Sequence, residues 1–103
     1  MDPQVIIQSK NLEITPEIES LVNKLASKLF HFDKKLSRVE CYLELAGPSG
    51  KDRTISKIQM KRDGRDLFVE DRGVELFDAI RKSFDDAKDA LINEKDKELD
   101  RAR

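Results

Sequence analysis

The sequence predicts an α+β domain in which two helices pack on one face of a four-stranded sheet. Residues 39–45 and 54–61 alternate apolar and polar side chains, which is typical of strands with one buried face. Residues 18–29 and 76–91 repeat apolar side chains at three- and four-residue spacing, as helices with one apolar side do. Such helices must bury that side against another element, and the order β-α-β-β-β-α supplies one sheet for both.

The first half of the chain begins with a strand and a well-marked helix start. Residues 5–8 (VIIQ) are rich in branched side chains and predict a short strand. Thr15 is a favoured N-cap, and Pro16 stands at the first helical position, where its missing N–H removes no helical hydrogen bond. We expect this helix to end near residues 29–32. Its apolar stripe consists of Ile18, Leu21, Val22, Leu25 and Leu29.

The middle of the chain predicts three strands joined by a loop and a tight turn. Val39 and Cys41 share the buried side of the second strand. Residues 47–50 (GPSG) form a loop, and residues 63–64 (DG) are a strong two-residue hairpin signal. We expect the fourth strand to end near Asp71, because burying an unpaired carboxylate would be costly.

The last helix starts beyond Gly73 and has one apolar stripe. The stripe fades after Leu91, so residues 95–103 are expected to form a solvated helix extension or a frayed tail. A chain of 103 residues is long enough for one modest core, and we expect residues 1–103 to form a single domain. The apolar stripe of the last helix is made of Leu76, Phe77, Ile80, Phe84, Ala87 and Leu91.

Charged residues are numerous and unevenly distributed. They make up 40% of the chain, yet the formal net charge is only −1. Residues 24–38 contain five basic side chains and one acid, and residues 51–65 contain six basic side chains and two acids. A nearly neutral protein that segregates its charge in this way can present a basic face to a polyanion.

Several classes of function find little support. The only histidine, His31, has no neighbouring nucleophile or orienting group, so we expect no enzymatic activity. Cys41 alternates with apolar residues and is expected to be an inert core thiol in a reducing compartment such as the cytoplasm. The sequence contains no metal-ligand cluster and no glycine-rich phosphate loop, so we expect no metal, cofactor or small-molecule substrate. No apolar run reaches the roughly 18–20 residues of a membrane span, so no membrane partner is expected.

The order of elements coincides with residues that resemble a known family. Residues 11–16 (NLEITP) lead from the first strand into the first helix, and residues 73–80 (GVELFDAI) open the last helix after the hairpin. Over residues 5–97 the chain resembles the ribosome hibernation-promoting factor family, also called ribosome-associated inhibitors or ribosomal subunit interface proteins. The resemblance implies a fold like that of double-stranded-RNA-binding domains, and a short-form member that has no second domain.

The resemblance also implies a function. Such proteins bind the small ribosomal subunit in the channel used by messenger and transfer RNA, during stationary phase or stress. They block translation by occupying that channel, and they need no cofactor. The expected partners are therefore the small ribosomal subunit and its 16S-type rRNA, in the cytoplasm.

Twelve basic residues are candidate RNA-binding side chains. Lys24 and Lys28 are neighbours on one side of the first helix, away from its apolar stripe, where they could hold phosphates. Cations near a helix C-terminus also favour the helix dipole without any ligand, and both explanations remain open. The first group comprises Lys24, Lys28, Lys34, Lys35 and Arg38.

The hairpin and the last helix supply the other candidates. Cations beside the hairpin turn could hold RNA, or they could protect a strand edge from association. Basic residues of the last helix rank third, because acids at helical spacing can pair with them. The second group is Lys57, Lys61, Arg62 and Arg65, and the third is Arg81, Lys82 and Lys88.

The last helix departs from the family pattern. Residues 81–103 contain seven basic and seven acidic side chains, and Asp86, Asp89 and Asn93 stand where the family favours Lys or Arg. The alternative function is therefore a protein-binding regulator that uses the same scaffold and no longer occupies the ribosome.

Two aromatic residues should lie on the sheet face opposite the helices. Tyr42 and Phe68 alternate with the inward-facing residues of their strands. Exposed rings there can stack on bases, or they can form a weak self-association surface. We therefore expect a monomer or a weak dimer.

Overall fold

The structure, a computed structural model, describes residues 3–47 and 53–101. It confirms the predicted α+β class and the order β-α-β-β-β-α. Residues 48–50 of the predicted loop lie outside the described residues, as do residues 102–103 of the predicted tail. The elements are β1 (Gln4–Lys10), α1 (Pro16–Phe32), β2 (Leu36–Leu45), β3 (Thr54–Arg62), β4 (Arg65–Gly73) and α2 (Leu76–Arg101).

The four strands form one mixed sheet in the order β1-β2-β3-β4. β1 runs parallel to β2, with Val5 opposite Val39, whereas β3 is antiparallel to both β2 and β4. β4 therefore runs in the same direction as β1, and each of these two strands is followed by a helix. Because each helix returns along the sheet, α1 and α2 run in the same direction, and their C-terminal ends lie beside the β3–β4 hairpin.

The predicted start of α1 is confirmed in detail. The Thr15 side chain accepts a hydrogen bond from the Ile18 N–H at 3.3 Å, and Pro16 occupies the first helical position. The helix ends at Phe32, and the Asp33 N–H donates to the Leu29 carbonyl at 2.9 Å. Asp33 then accepts a hydrogen bond from the Lys35 N–H at 3.0 Å through Oδ1, which fixes the turn into β2.

The core lies between the sheet and the two helices. Its members are the inward-facing strand residues together with one side of each helix, as their spacing predicted. Cys41 belongs to this core, and burial raises the pKa of its thiol to about 11, so the thiol stays protonated at neutral pH. The most buried side chains include Val22, Val39, Leu43, Ile58, Met60, Ile80 and Leu91.

The strand β4 ends two residues beyond Asp71, near which its end was expected. The strand continues to Gly73, whose carbonyl accepts a hydrogen bond from the Thr54 hydroxyl at 2.7 Å. Asp71 is half-buried on the helix side of the sheet, and its Oδ2 has no hydrogen-bond partner among the described residues. Burial and the nearby Asp86 of α2 raise the pKa of Asp71 to about 6. The strand thus includes the half-buried carboxyl at a cost in stability.

Substitution Asp71→Asn is expected to stabilise the domain at neutral pH. The pKa of Asp71 is higher in the folded than in the unfolded chain, so its stability contribution is full below about pH 4 and is lost as the pH rises through about 6. The gain should be on the order of 1 kcal/mol above pH 7, or several degrees in melting temperature, and it should vanish below about pH 4. Thermal unfolding across this pH range measures it. An equal gain at both ends would contradict the electrostatic cause, and Asp89→Asn, at an exposed position of α2, is the matched control.

The C-terminal part of α2 is an ordered helix with specific contacts. Of the two expected alternatives for residues 95–103, the helix extension holds as far as Arg101. The Lys95 ammonium donates to the Phe32 carbonyl at 3.2 Å and lies 4.4 Å from the centre of the Phe32 ring. Glu98 is paired with two basic residues. These bonds tie the end of α2 to the end of α1 and to the hairpin.

The described residues contain neither a membrane-spanning helix nor a cluster of metal-ligand side chains. None of the helices there is both long enough and apolar enough to cross a membrane. Within residues 3–47 and 53–101, no group of three His, Cys, Asp or Glu side chains lies close enough together to hold a metal ion.

Candidate nucleic-acid interface

The outer surface of α1 carries exposed lysines. Ile18 and Val22 turn the opposite side of the helix into the core, so Lys24 and Lys28 project into solvent. Neither lysine forms an ion pair within the part of the chain that the structure describes. Lys88 of α2 reaches across to the same region, with its ammonium 5.4 Å from the centre of the Phe32 ring. We call Lys24, Lys28 and Lys88 the basic side.

The two basic stretches of the sequence meet at the hairpin end of the sheet. The Asp63 N–H donates to the Lys35 carbonyl at 3.2 Å, and the Ser37 hydroxyl donates to the Lys61 carbonyl at the same distance. These bonds hold the α1–β2 turn against the β3–β4 hairpin. The exposed cations that they bring together, called here the basic rim, are Lys34, Lys35, Lys61 and Arg65.

Arg62 does not belong to this exposed rim, although it flanks the hairpin turn. Only 4% of its side chain is exposed, because it points to the helix side of the sheet. Its Nε donates to Asp33 Oδ2 at 2.5 Å, and its two terminal nitrogens donate to the Glu98 carboxylate at 2.6 and 3.1 Å. The alternation of β3 predicts that the Arg62 side chain is on the buried side of the sheet, since Arg62 is two and four residues beyond the buried Met60 and Ile58.

Two acids of α2 reach the basic rim, and sequence reasoning missed both. Glu98 lies 3.2 Å from the Lys35 ammonium, and Glu94 lies 3.8 Å from the Arg65 guanidinium. Hydrogen bonds from Arg62, and then from Lys35, lower the pKa of Glu98 to about 2. The helical spacing of Leu91, Glu94 and Glu98 could have placed these acids on the inward side of α2. Part of the basic charge at the rim is therefore balanced from within the chain.

The open face of the sheet has mixed charge. Arg38 is paired with Glu40, and Lys57 lies 3.7 Å from Glu70, which also accepts a hydrogen bond from Arg72 at 3.0 Å. Cross-strand and same-strand acids thus offset the basic residues that β2 and β3 place there. This face is not an extension of the basic side.

The two aromatic residues lie on the open face, as predicted. Phe68 is 70% exposed, and Tyr42 is half-buried beneath Lys57, whose ammonium is 5.6 Å from the ring centre. The Tyr42 hydroxyl donates to Glu44 at 3.1 Å, so the phenol is held in place by two charged neighbours.

The remaining candidates lie on the outer part of α2 among acids. Arg81 is 3.9 Å from Asp78, the pairing that helical spacing predicted. Lys82 lies near the Asp71–Asp86 pair and opposes the rise in the pKa of Asp71. Neither residue joins the basic rim, which lies at the other end of α2.

The sequence profile of a family described as "Sigma 54 modulation protein / S30EA ribosomal protein" matches residues 5–98, nearly the whole chain. The chain belongs to this family. It is the ribosome hibernation-promoting factor family that the residues resembled, so the protein is a ribosome-associated hibernation or modulation factor. The family is known as non-enzymatic. Among curated protein sequences, none matches the chain.

Solved structures of similar proteins share this fold. The N-terminal domain of protein Y from Thermus thermophilus is 26% identical, with a TM-score of 0.73 over 88% of this chain and 96% of that one. A ribosomal subunit interface protein from Coxiella burnetii has a TM-score of 0.70 over 89% of this chain and 97% of that one. Its identity is 11%, so it supports the fold alone.

Family membership makes the acidic side of α2 stand out. Asp85, Asp89 and Asp96 recur at helical spacing on the exposed side of α2, and none of them has an ion-pair partner among the described residues. The exposed surface of α2 therefore carries these acids alongside Lys88 of the basic side.

Proposed function

We propose that the protein occupies the small ribosomal subunit and suppresses translation during stress or stationary phase, in the cytoplasm where ribosomes work. The basic side and the basic rim would hold 16S-type rRNA in the channel used by messenger and transfer RNA. The observation that carries this proposal is the pair Lys24 and Lys28, exposed and unpaired within the described residues on a family member that is ribosome-associated. The contacting cations lie within one chain, so the proposal requires no second copy.

The geometry favours recognition of the RNA backbone over recognition of its sequence. Lysine ammonium groups bind phosphates as point charges and carry no base-reading pattern. Each phosphate that a lysine neutralises releases condensed counterions, so the logarithm of the affinity falls by roughly 0.7–0.9 per contact for each logarithmic unit of salt.

Co-sedimentation with purified small subunits at stepped salt concentrations tests the proposal. We expect the protein to pellet with the subunits at low salt and to be released steeply as salt increases, because phosphate neutralisation dominates the affinity. If the protein remains in the supernatant at low salt with subunits in excess, the proposal is wrong.

A second candidate function is a protein-binding regulator on the same scaffold. The acidic stripe of Asp85, Asp89 and Asp96 favours it, because free carboxylates attract a basic protein surface and repel RNA. A pull-down distinguishes the two functions. Enrichment of one basic regulatory protein without ribosomal proteins would support this candidate, and recovery of small-subunit proteins would exclude it as the main function.

A further inference from the structure

The carboxylate of Glu98 sits in a cationic cradle at the hairpin end of the domain. Both terminal nitrogens of Arg62 donate hydrogen bonds to this carboxylate, from Nη1 to Oε1 at 2.6 Å and from Nη2 to Oε2 at 3.1 Å. The Lys35 ammonium adds a third contact to Oε2 at 3.2 Å. Two parallel bonds from a guanidinium are the geometry with which arginine binds both carboxylates and phosphates.

The fold fixes the Arg62 guanidinium and the backbone of Lys35. Only 4% of Arg62 is exposed, and its Nε is held by Asp33 at 2.5 Å, so the two terminal nitrogens point in one direction. The backbone of Lys35 is bonded on both sides, with its N–H to Asp33 and its carbonyl to the Asp63 N–H. Arg65 borders the same small cavity, of about 70 Å³, but it is paired there with Glu94 at 3.8 Å, and Asp63 also lines the cavity.

The acidic occupant is more exposed to solvent than the Arg62 side chain that binds it. The Glu98 side chain is one-third exposed, whereas only 4% of the Arg62 side chain is exposed. The next side chain, Leu99, is 62% exposed and anchors nothing in the core. Rotation of the Glu98 side chain alone would open the cradle and would leave the contacts of Lys95 with Phe32 in place.

We propose that Arg62 and Lys35 form a phosphate-binding site for the RNA backbone, and that the Glu98 carboxylate occupies it in the free protein. This inference rests on the proposed function. The exchange replaces one anion by another, and Arg62 keeps its partner Asp33 throughout, so no unpaired buried charge arises. Arg62 is buried in the free protein and becomes an RNA contact after the Glu98 carboxylate leaves.

Substitution Glu98→Gln tests the site, because it removes the competing charge and keeps the side-chain size. With inorganic phosphate as the probe, the Arg62 Nε–H signal in NMR spectra should shift saturably in Glu98→Gln and much less in the unsubstituted protein. For an RNA duplex of about 20 base pairs, longer than the roughly 16 that a double-stranded-RNA-binding domain spans, affinity at low salt should rise. We expect about a tenfold gain, which is what one charge-assisted hydrogen bond contributes.

Two further variants separate this site from a general charge effect. Glu13→Gln makes the same change in net charge at an exposed position before α1, at the opposite end of that helix, and should change RNA affinity little. Lys35→Gln combined with Glu98→Gln should cancel most of the gain, because it removes one of the cations of the cradle.

The outcomes decide the inference independently of the proposed function. Equal RNA gains in Glu98→Gln and Glu13→Gln, or an Arg62 signal that phosphate leaves unmoved in Glu98→Gln, would overturn the site. A response to inorganic phosphate without a gain for the duplex would limit the site to free phosphate and overturn its role toward RNA. Failure of the protein to bind small subunits would refute the proposed function and leave the phosphate measurement intact.

Discussion

Substitution Arg62→Met is expected to lower the free energy of unfolding by about 3–5 kcal/mol, the cost of removing one partner from a buried ion pair. Asp33 is 3% exposed, and Arg62 is its charged partner at 2.5 Å. Without Arg62 the carboxylate would remain buried with only the Lys35 N–H as a donor. Urea unfolding measures the loss. The free energy of unfolding of small domains is about 5–15 kcal/mol, so the expected loss is a substantial fraction of the total.

Two controls show whether the buried charge causes this loss. Asp33→Asn combined with Arg62→Met should recover most of the stability, because an asparagine oxygen can still accept the Lys35 N–H and carries no charge. Arg72→Met removes an arginine whose ion pair is exposed, and should change stability by less than about 0.5 kcal/mol. If Arg62→Met costs no more than Arg72→Met, the ion pair does not hold the hairpin to α1.

Charge reversal on the basic side is expected to weaken binding to small ribosomal subunits by about a hundredfold at low salt. Lys24→Glu with Lys28→Glu removes two attractive charges and adds two repulsive ones. Each unit of charge is worth about 1 kcal/mol at ~4 Å in water before salt screening, and screening reduces the sum by roughly a third to a half. Quantitative co-sedimentation measures the change. The salt dependence should also become shallower, by about the two lost phosphate contacts.

The matched control reverses two cations at the far end of the open face. Lys10→Glu with Arg72→Glu changes the net charge by the same amount on exposed strand residues away from the basic rim. This pair should affect binding much less. If both double variants weaken binding equally, net charge governs binding, and Lys24 and Lys28 of α1 are not specific contacts of the interface. Melting temperatures of both variants show whether each remains folded.

The sequence was sufficient for the elements because their determinants are local. Thr15 and Pro16 start α1 through bonds and dihedral preferences within one turn, and residues 63–64 form the hairpin through their own backbone. Asn11 and Asp63 adopt positive φ values of 62° and 52°, as residues of this type can in turns. The end of β4 depends on Thr54, which pairs with Gly73 and is distant from it in sequence, and the contacts of residues 95–98 depend on Phe32 and Arg62.

The sequence predicts which basic residues belong to the candidate site better than it predicts which of them form ion pairs. Spacing along α1 was enough to place Lys24 and Lys28 on the exposed side. Which cations stay free depends on register, since Lys57 meets Glu70 only through the alignment of β3 with β4. The neutralisation of Lys35 and Arg65 by Glu98 and Glu94 depends on the direction of α2, which the strand order sets.

The half-buried Asp71 has a consequence for solubility. β4 is an outer strand of the sheet, and the backbone groups along its free side could pair with a strand of another molecule. An inward-pointing charge on such a strand discourages that pairing, because an added strand from another molecule would bury the charge. The carboxylate that lowers the stability of the folded domain therefore also protects it from edge-to-edge aggregation, and acidification that protonates it would weaken this protection.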